Sequence, residues 1–246
     1  MAVQPMDYLK MVKRLVQELG TELPAKVESV AITPTTDYGD TTQFIHNCVT
    51  WINQAWIELQ EDQSDWNFMR KQGTFPLIEG QAQYDIILQA GLEDYDGLRP
   101  FMALVDSRYI WVVDGSTQPS TKHNCYYVKP EQFFGFFNKN AAPEGQPNRY
   151  TFTSNGCILF HPIPHSNSMS AEFRYQRAVE ELVEDTDTPT GLPPKYHMDI
   201  VYRAMEYYSG FDETSPQWKR AMTRKRKMEN KMYIELLPEF SAPGVR

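Results

Sequence analysis

The spacing of apolar residues changes period twice along this chain, and that limits the folds open to it more than any other feature. Near the start, Tyr8, Leu9, Val12, Leu15, Val16 and Leu19 recur at three- and four-residue intervals, the spacing of one helix face. From Gly73 to about Arg177 the apolar positions come in short runs separated by Glu79-Gly80, Asp114-Gly115-Ser116 and Asn155-Gly156, the pattern of strands and turns. From Lys195 onward the helical interval returns. Helices, then strands, then helices again predict an α+β chain. The simplest arrangement is a helical bundle built from both chain ends. An antiparallel β-sandwich or barrel-like module is inserted in one of its connections. The expected parts are 1–72 (first part of the bundle), 73–179 (β module), 180–236 (second part, with a long basic helix) and 237–246 (extended C-terminal tail).

The individual elements follow from local chemistry. A first helix is predicted from Met6 to Leu19, with Asp7 at its positive end and Gly20 as its C-terminal cap. A second starts at Asp40 or Thr41 and buries Phe44, Ile45, Cys48, Val49, Ile52, Ala55, Trp56 and Leu59, with Trp51 beside that stripe. Its other face carries uncharged Gln43, Asn47, Thr50, Asn53 and Gln54, which suits contact with protein better than a charged face does. Short strands are predicted at 74–77, 83–86, 99–105, 108–113, 124–128, 149–153, 157–162 and 170–176. Asn155-Gly156 supplies the positive φ of a hairpin turn. Pro130 opens a short helix to about Asn138 that packs Phe133, Phe134, Phe136 and Phe137 under the strands. Further helices are expected from Lys195 to Phe211 and from Ser215-Pro216 to Pro238.

Composition and motifs narrow the chemistry. The formal net charge of -8 argues against a chain that grips nucleic acid over its whole surface. Cys48, Cys125 and Cys157 are odd in number and unpaired by spacing, so neither a disulfide framework nor a thiolate zinc site is expected. No phosphate-binding glycine loop, no G-x-S-x-G and no H-E-x-x-H is present. His161 and His165 are separated by Pro162 and Pro164, so their rings need not converge on a metal. Glu180, Glu181, Glu184, Asp185 and Asp187 form an acidic stretch that reads as a solvated linker. No catalytic residue, metal or cofactor is expected.

The last helix is the most uneven in charge. Lys219, Arg220, Arg224, Lys225, Arg226, Lys227 and Lys231 face only Glu229 over the same span. A basic helix of this kind is a candidate docking surface for an acidic neighbour or for phosphates. Its charges run round most of the helix, which predicts one that projects from the body. A sequence of this length has no apolar run long enough for a membrane span.

Three stretches together resemble the head-to-tail adaptors of tailed phages, also called head completion proteins. They are the first helix with Gly20, the run Trp51-Ile-Asn-Gln-Ala-Trp56 followed by Asp65-Trp66-Asn67-Phe68-Met69, and Leu192-Pro-Pro-Lys-Tyr-His197 leading to Tyr207-Tyr208. The resemblance implies a structural virion protein and not an enzyme: a ring, usually of twelve copies, docked under the portal at the head–tail junction and assembled in the host cytoplasm. It implies the portal and a tail-side protein as partners, and double-stranded DNA passing through the channel without specific binding. By position, the portal or neighbour docking segment is Tyr233 to Arg246, with Tyr233, Leu236, Leu237, Phe240, Pro243, Val245 and Arg246. Trp51, Trp56, Trp66, Tyr202 and Tyr208 would serve bundle and subunit packing. The β module departs from the all-helical members. Two other readings stay open: a virion-borne glycan hydrolase using two carboxylates, and a nucleic-acid-binding module using the last helix.

Overall fold

The computed structural model describes residues 4–20, 27–31, 40–63, 66–86, 102–104, 109–116, 119–136, 143–209 and 216–237. The described chain is α+β, with five helices and a curled mixed sheet. It divides into two compact units, one of residues 1–68 and 179–246 and one of 69–178. The predicted ends of several segments, including 99–101, 105, 137–138, 210–215 and the tail from Pro238, lie outside the described residues.

In the first unit, α1 (Tyr8–Glu18) begins where the Asp7 carboxylate accepts a hydrogen bond from the Lys10 amide, satisfying a free N–H of the first turn. Its buried face is Tyr8, Met11, Val12, Leu15 and Val16. Gly20 ends it with φ +76°, a conformation that costs glycine little. Helix α2 (Asp40–Glu61) buries Ile45, Cys48, Ile52, Ala55, Trp56 and Leu59. The Tyr8 hydroxyl donates to the Val49 carbonyl at 2.8 Å and ties α1 to α2. After a 3-10 turn at Pro194–Tyr196, α4 (His197–Ser209) packs against α1, α2 and α5 (Pro216–Leu236). Helix α4 is therefore the central element of this unit, and Ile200, Val201, Ala204 and Met205 are all buried.

The uncharged face of α2 has a use the residue types alone did not specify. Gln60 accepts from the Glu180 amide and donates to its carbonyl, and Asn53 accepts from the Leu182 amide. These amide side chains hold an incoming segment of the same chain by its backbone.

The second unit holds strands β1 (Arg70–Pro76), β2 (Gln83–Tyr84), β3 (Met102–Leu104), β4 (Tyr109–Asp114), β5 (Thr121–Tyr127), β6 (Glu144–Gly145), β7 (Arg149–Phe152), β8 (Ile158–His161), β9 (Ile163–Pro164) and β10 (Met169–Gln176), with α3 (Pro130–Phe136) between β5 and β6. The main sheet runs β1-β10-β4-β5-β7-β8-β2, with β3 also paired to β10. Its concave side is a continuous aromatic core that includes Phe75, Tyr84, Tyr150, Phe160 and Phe173. Gly73 faces Phe173 across the β1–β10 ladder, and a Cβ there would come within 2.4 Å of the ring.

Three expectations are corrected here. Of the two forms expected for the module, the barrel-like one holds in part and the sandwich does not: β6 and β9 form a separate parallel pair, and the main sheet is a curled half-barrel that is mixed, not antiparallel, with β5 and β7 parallel. A parallel pair needs a crossover connection, and α3 provides it, anchored by buried Phe133. Phe134 does not pack under the strands but is 46% exposed, while the side chains of Phe136 and Phe137 lie outside the described residues. Finally, α5 does not project: Ala221 and Met232 on its inner face are buried, and it packs along α4.

Candidate functional site

The charged side chains of the helical unit form two groups. The inner one centres on Arg203 of α4. Its Nε donates to Asp199 Oδ2 at 2.9 Å, its Nη1 to Asp62 Oδ2 at 2.5 Å, and its Nη2 pairs with Glu229 Oε1 at 2.8 Å. A single guanidinium thus binds α4 itself, the segment just after α2, and α5. Lys225, one of the seven candidate docking cations, belongs to this group: it pairs with Glu206 at 2.5 Å and Glu229 at 3.5 Å. Burial pushes the Asp199 carboxyl up to about 6 even with Arg203 beside it. Nearby, His197 is buried with Nδ1 against Met6 and Nε2 against the Leu192 carbonyl. A neutral ring with its proton on Nε2 satisfies both contacts, donating to Leu192 and accepting from the Met6 amide. Burial lowers its pKa accordingly.

The outer group lines an open hollow of about 310 Å³ between the start of α4 and the second half of α5. Lys195, Arg224, Lys227 and Lys231 surround Tyr196, Tyr202 and Met228, with Glu235 the sole carboxylate of the lining. Glu235 pairs with Lys195. Arg224 lies 3.4 Å from the Tyr202 hydroxyl. Lys227 and Lys231 make no ion pair among the described residues, so the hollow carries excess positive charge. Lys219, Arg220 and Arg226 are also on α5, and all three are exposed.

The aromatic candidates fall into two sets. Trp56 and Trp66 are fully buried; Trp56 stacks on Phe68, and the Trp66 Nε1 donates to the Leu59 carbonyl at 2.8 Å. Tyr202 is buried, while Trp51 and Tyr208 are half-buried and meet edge to face at 6.1 Å. Of the C-terminal segment, Tyr233 stacks on Trp66 with centroids 5.6 Å apart, and Leu236 and Leu237 are half-buried. Phe240, Pro243, Val245 and Arg246 lie outside the described residues. Between these contacts sits a residue that the sequence reasoning passed over: Ile234 is 80% exposed. It lies off the apolar stripe of Ala221 and Met232 on α5, and that interval is the signal that could have found it.

The acidic stretch proves to be built structure. Asp185 accepts from the Val30 amide and Ser29 Oγ, and Asp187 accepts from the Val183 and Glu184 amides. Glu180 accepts from the Thr190 amide. Glu181 and Glu184 are left pointing into solvent. His161 sits edge-on to Phe133. Among the described residues no group of three or more His, Cys, Asp and Glu side chains is placed to hold a metal. Cys48 is buried, and burial pushes its thiol up to about 12.

The described residues thus combine carboxylates committed to backbone amides, an open basic hollow and an exposed apolar residue near a helix end. The SU10 adaptor protein family profile matches residues 6–237, and the chain belongs to that family of phage head–tail adaptors. No curated protein matches the chain. It is therefore a phage structural protein of the virion, from a family of adaptors and not of enzymes. Such a protein interacts with other head and tail proteins. No helix among the described residues is long and apolar enough to cross a membrane.

Proposed function

We propose that this chain is the ring subunit of a head-to-tail connector. Its copies, twelve in the usual arrangement, dock under the portal, extend the DNA channel and present the attachment surface for the tail. The observation that carries this reading is the family match over 6–237, which spans both helical segments and the β unit. The helices from the two chain ends form the bundle of each subunit. The segment from Tyr233 to Arg246 reaches the portal or a neighbouring copy. Ile234, 80% exposed beside the Tyr233–Trp66 stack, supports that role, because a large exposed side chain next to a rigid aromatic pair is a ready anchor. The net charge of -8 suits a channel subunit, since like charge keeps passing DNA off the wall.

The test is co-assembly of the purified chain with its portal ring, read by electron microscopy. The intact chain is expected to add a ring of density beneath the portal. Chains ending at Leu237, or carrying Ile234→Asp, are expected to lose it. An intact chain that leaves the portal bare would overturn the reading.

A further inference from the structure

The basic hollow and the acidic 180–187 loop are complementary in charge, and the same chain carries both. The hollow supplies four cations against one carboxylate, over an apolar floor of Tyr196, Tyr202 and Met228. The loop offers the inverse: Glu181 and Glu184 flank Val183, which is 65% exposed. Neither glutamate makes an ion pair among the described residues. The loop is also stiff. Gln60 grips residue 180, Asn53 grips 182, the Asp187 carboxylate holds the amides of 183 and 184, and Asp185 is fixed by Ser29 and Val30. A loop held at this many points loses little freedom on binding. Its exposed valine between two free carboxylates is not what a solvated linker needs.

We propose that the hollow lined by Arg224, Lys227 and Lys231 seats the Glu181-Leu182-Val183-Glu184 segment of a second copy of this chain. Val183 lies on the tyrosine and methionine floor, and the two glutamates meet the lysines at the rim. The loop is fastened to α1 and α2, whereas the hollow is walled by α4 and α5. Donor and acceptor surfaces are therefore different, and the contact is head-to-tail. Repetition of such a contact closes into a ring when the rotation allows. The proposal rests on the ring reading for its setting, and names the mating surfaces that reading leaves open.

Charge exchange in the full-length chain tests it. One variant carries Glu181→Lys and Glu184→Lys, the other Lys227→Glu and Lys231→Glu; all four positions are exposed, and each variant's fold is checked by circular dichroism. Ring formation on portal particles is counted by electron microscopy, and self-association without portal is followed by sedimentation velocity. Each variant alone is expected to need a roughly tenfold higher concentration to form a ring. An equimolar mixture of the two is expected to recover native behaviour, because every loop then meets a hollow of opposite sign. Variants that assemble like the native chain, or a mixture that fails to recover, would overturn the docking proposal while leaving the connector reading intact. Loss confined to the lysine variant would also overturn it, by pointing to a different anionic occupant such as phosphate. Native chains that neither bind the portal nor self-associate would remove both readings.

Discussion

Arg203 draws its carboxylates from sequence positions 62, 199 and 229, and only the pair with Asp199 was visible as a local interval. A hub of this kind is legible only once the helices are placed. Its removal should be costly. Arg203→Met leaves Asp199 and Asp62 without their cation and Glu229 with Lys225 alone, and breaking a buried pair by deleting one partner costs roughly 3–5 kcal/mol; urea unfolding measures it. Asp199 adds a pH signature. Its folded pKa of about 6 stands above the ordinary 3.8, so between about pH 4 and 6 the folded chain binds this proton more tightly than the unfolded one. The stabilising contribution is complete near pH 4 and is lost as pH rises through 6. Compared with Asp199→Asn, the native chain should gain about 2–3 kcal/mol between pH 7 and pH 4, measured as the difference in unfolding free energy. His197 acts with the opposite sign. Its lowered pKa means that folding loses stability as pH falls below the ordinary 6.5, and His197→Gln should remove that loss from a stability–pH curve.

Elements were read more reliably than their pairing. The interval of apolar residues is local, so α1, α2, α4, α5 and most strands could be placed within a few residues. Strand partnership is not local. Nothing in Thr121–Tyr127 or Arg149–Phe152 announces that they run parallel; the predicted helix at Pro130 was the sole hint, since a crossover is what such a pair requires. The basic character of α5 was plain, and so was the apolar stripe through Ala221 and Met232, both of which are buried. In the sheet, the sharpest consequence concerns Gly73. Alanine there collides with the Phe173 ring at 2.4 Å, and overpacking of this kind costs about 1–3 kcal/mol. Trp111 is the only tryptophan between residues 69 and 178. Its fluorescence should report a lower unfolding midpoint in Gly73→Ala, and a midpoint equal to that of the native chain would contradict the packing described.

At the scale of the whole molecule, family membership and the surfaces described above set the expectations for assembly. Contacts between exposed charges weaken as salt shortens their reach. Occupancy of the portal by the native chain should therefore fall as sodium chloride is raised from about 0.1 M to about 0.5 M, while chains bearing Ile234→Asp start low and change little. The proposed docking surfaces were only half legible. Lysines and arginines on α5 could be counted, but the split between Lys225, spent inside the unit, and Lys227 and Lys231, free at the hollow, is a matter of which way each turn of the helix faces.

The helical unit is discontinuous: residues 1–68 need 179–246 to complete it, whereas 69–178 is one uninterrupted stretch. A ribosome therefore releases α1 and α2 well before α4, the helix they pack on, has been made. At ordinary elongation rates the delay is on the order of ten seconds. During that time the strands of the curled sheet are made in one uninterrupted run, while Leu15, Ile52 and Trp56 still lack α4. The nascent chain thus carries a sticky leader through the synthesis of the whole sheet, and chaperone capture during translation should concentrate on the first two helices.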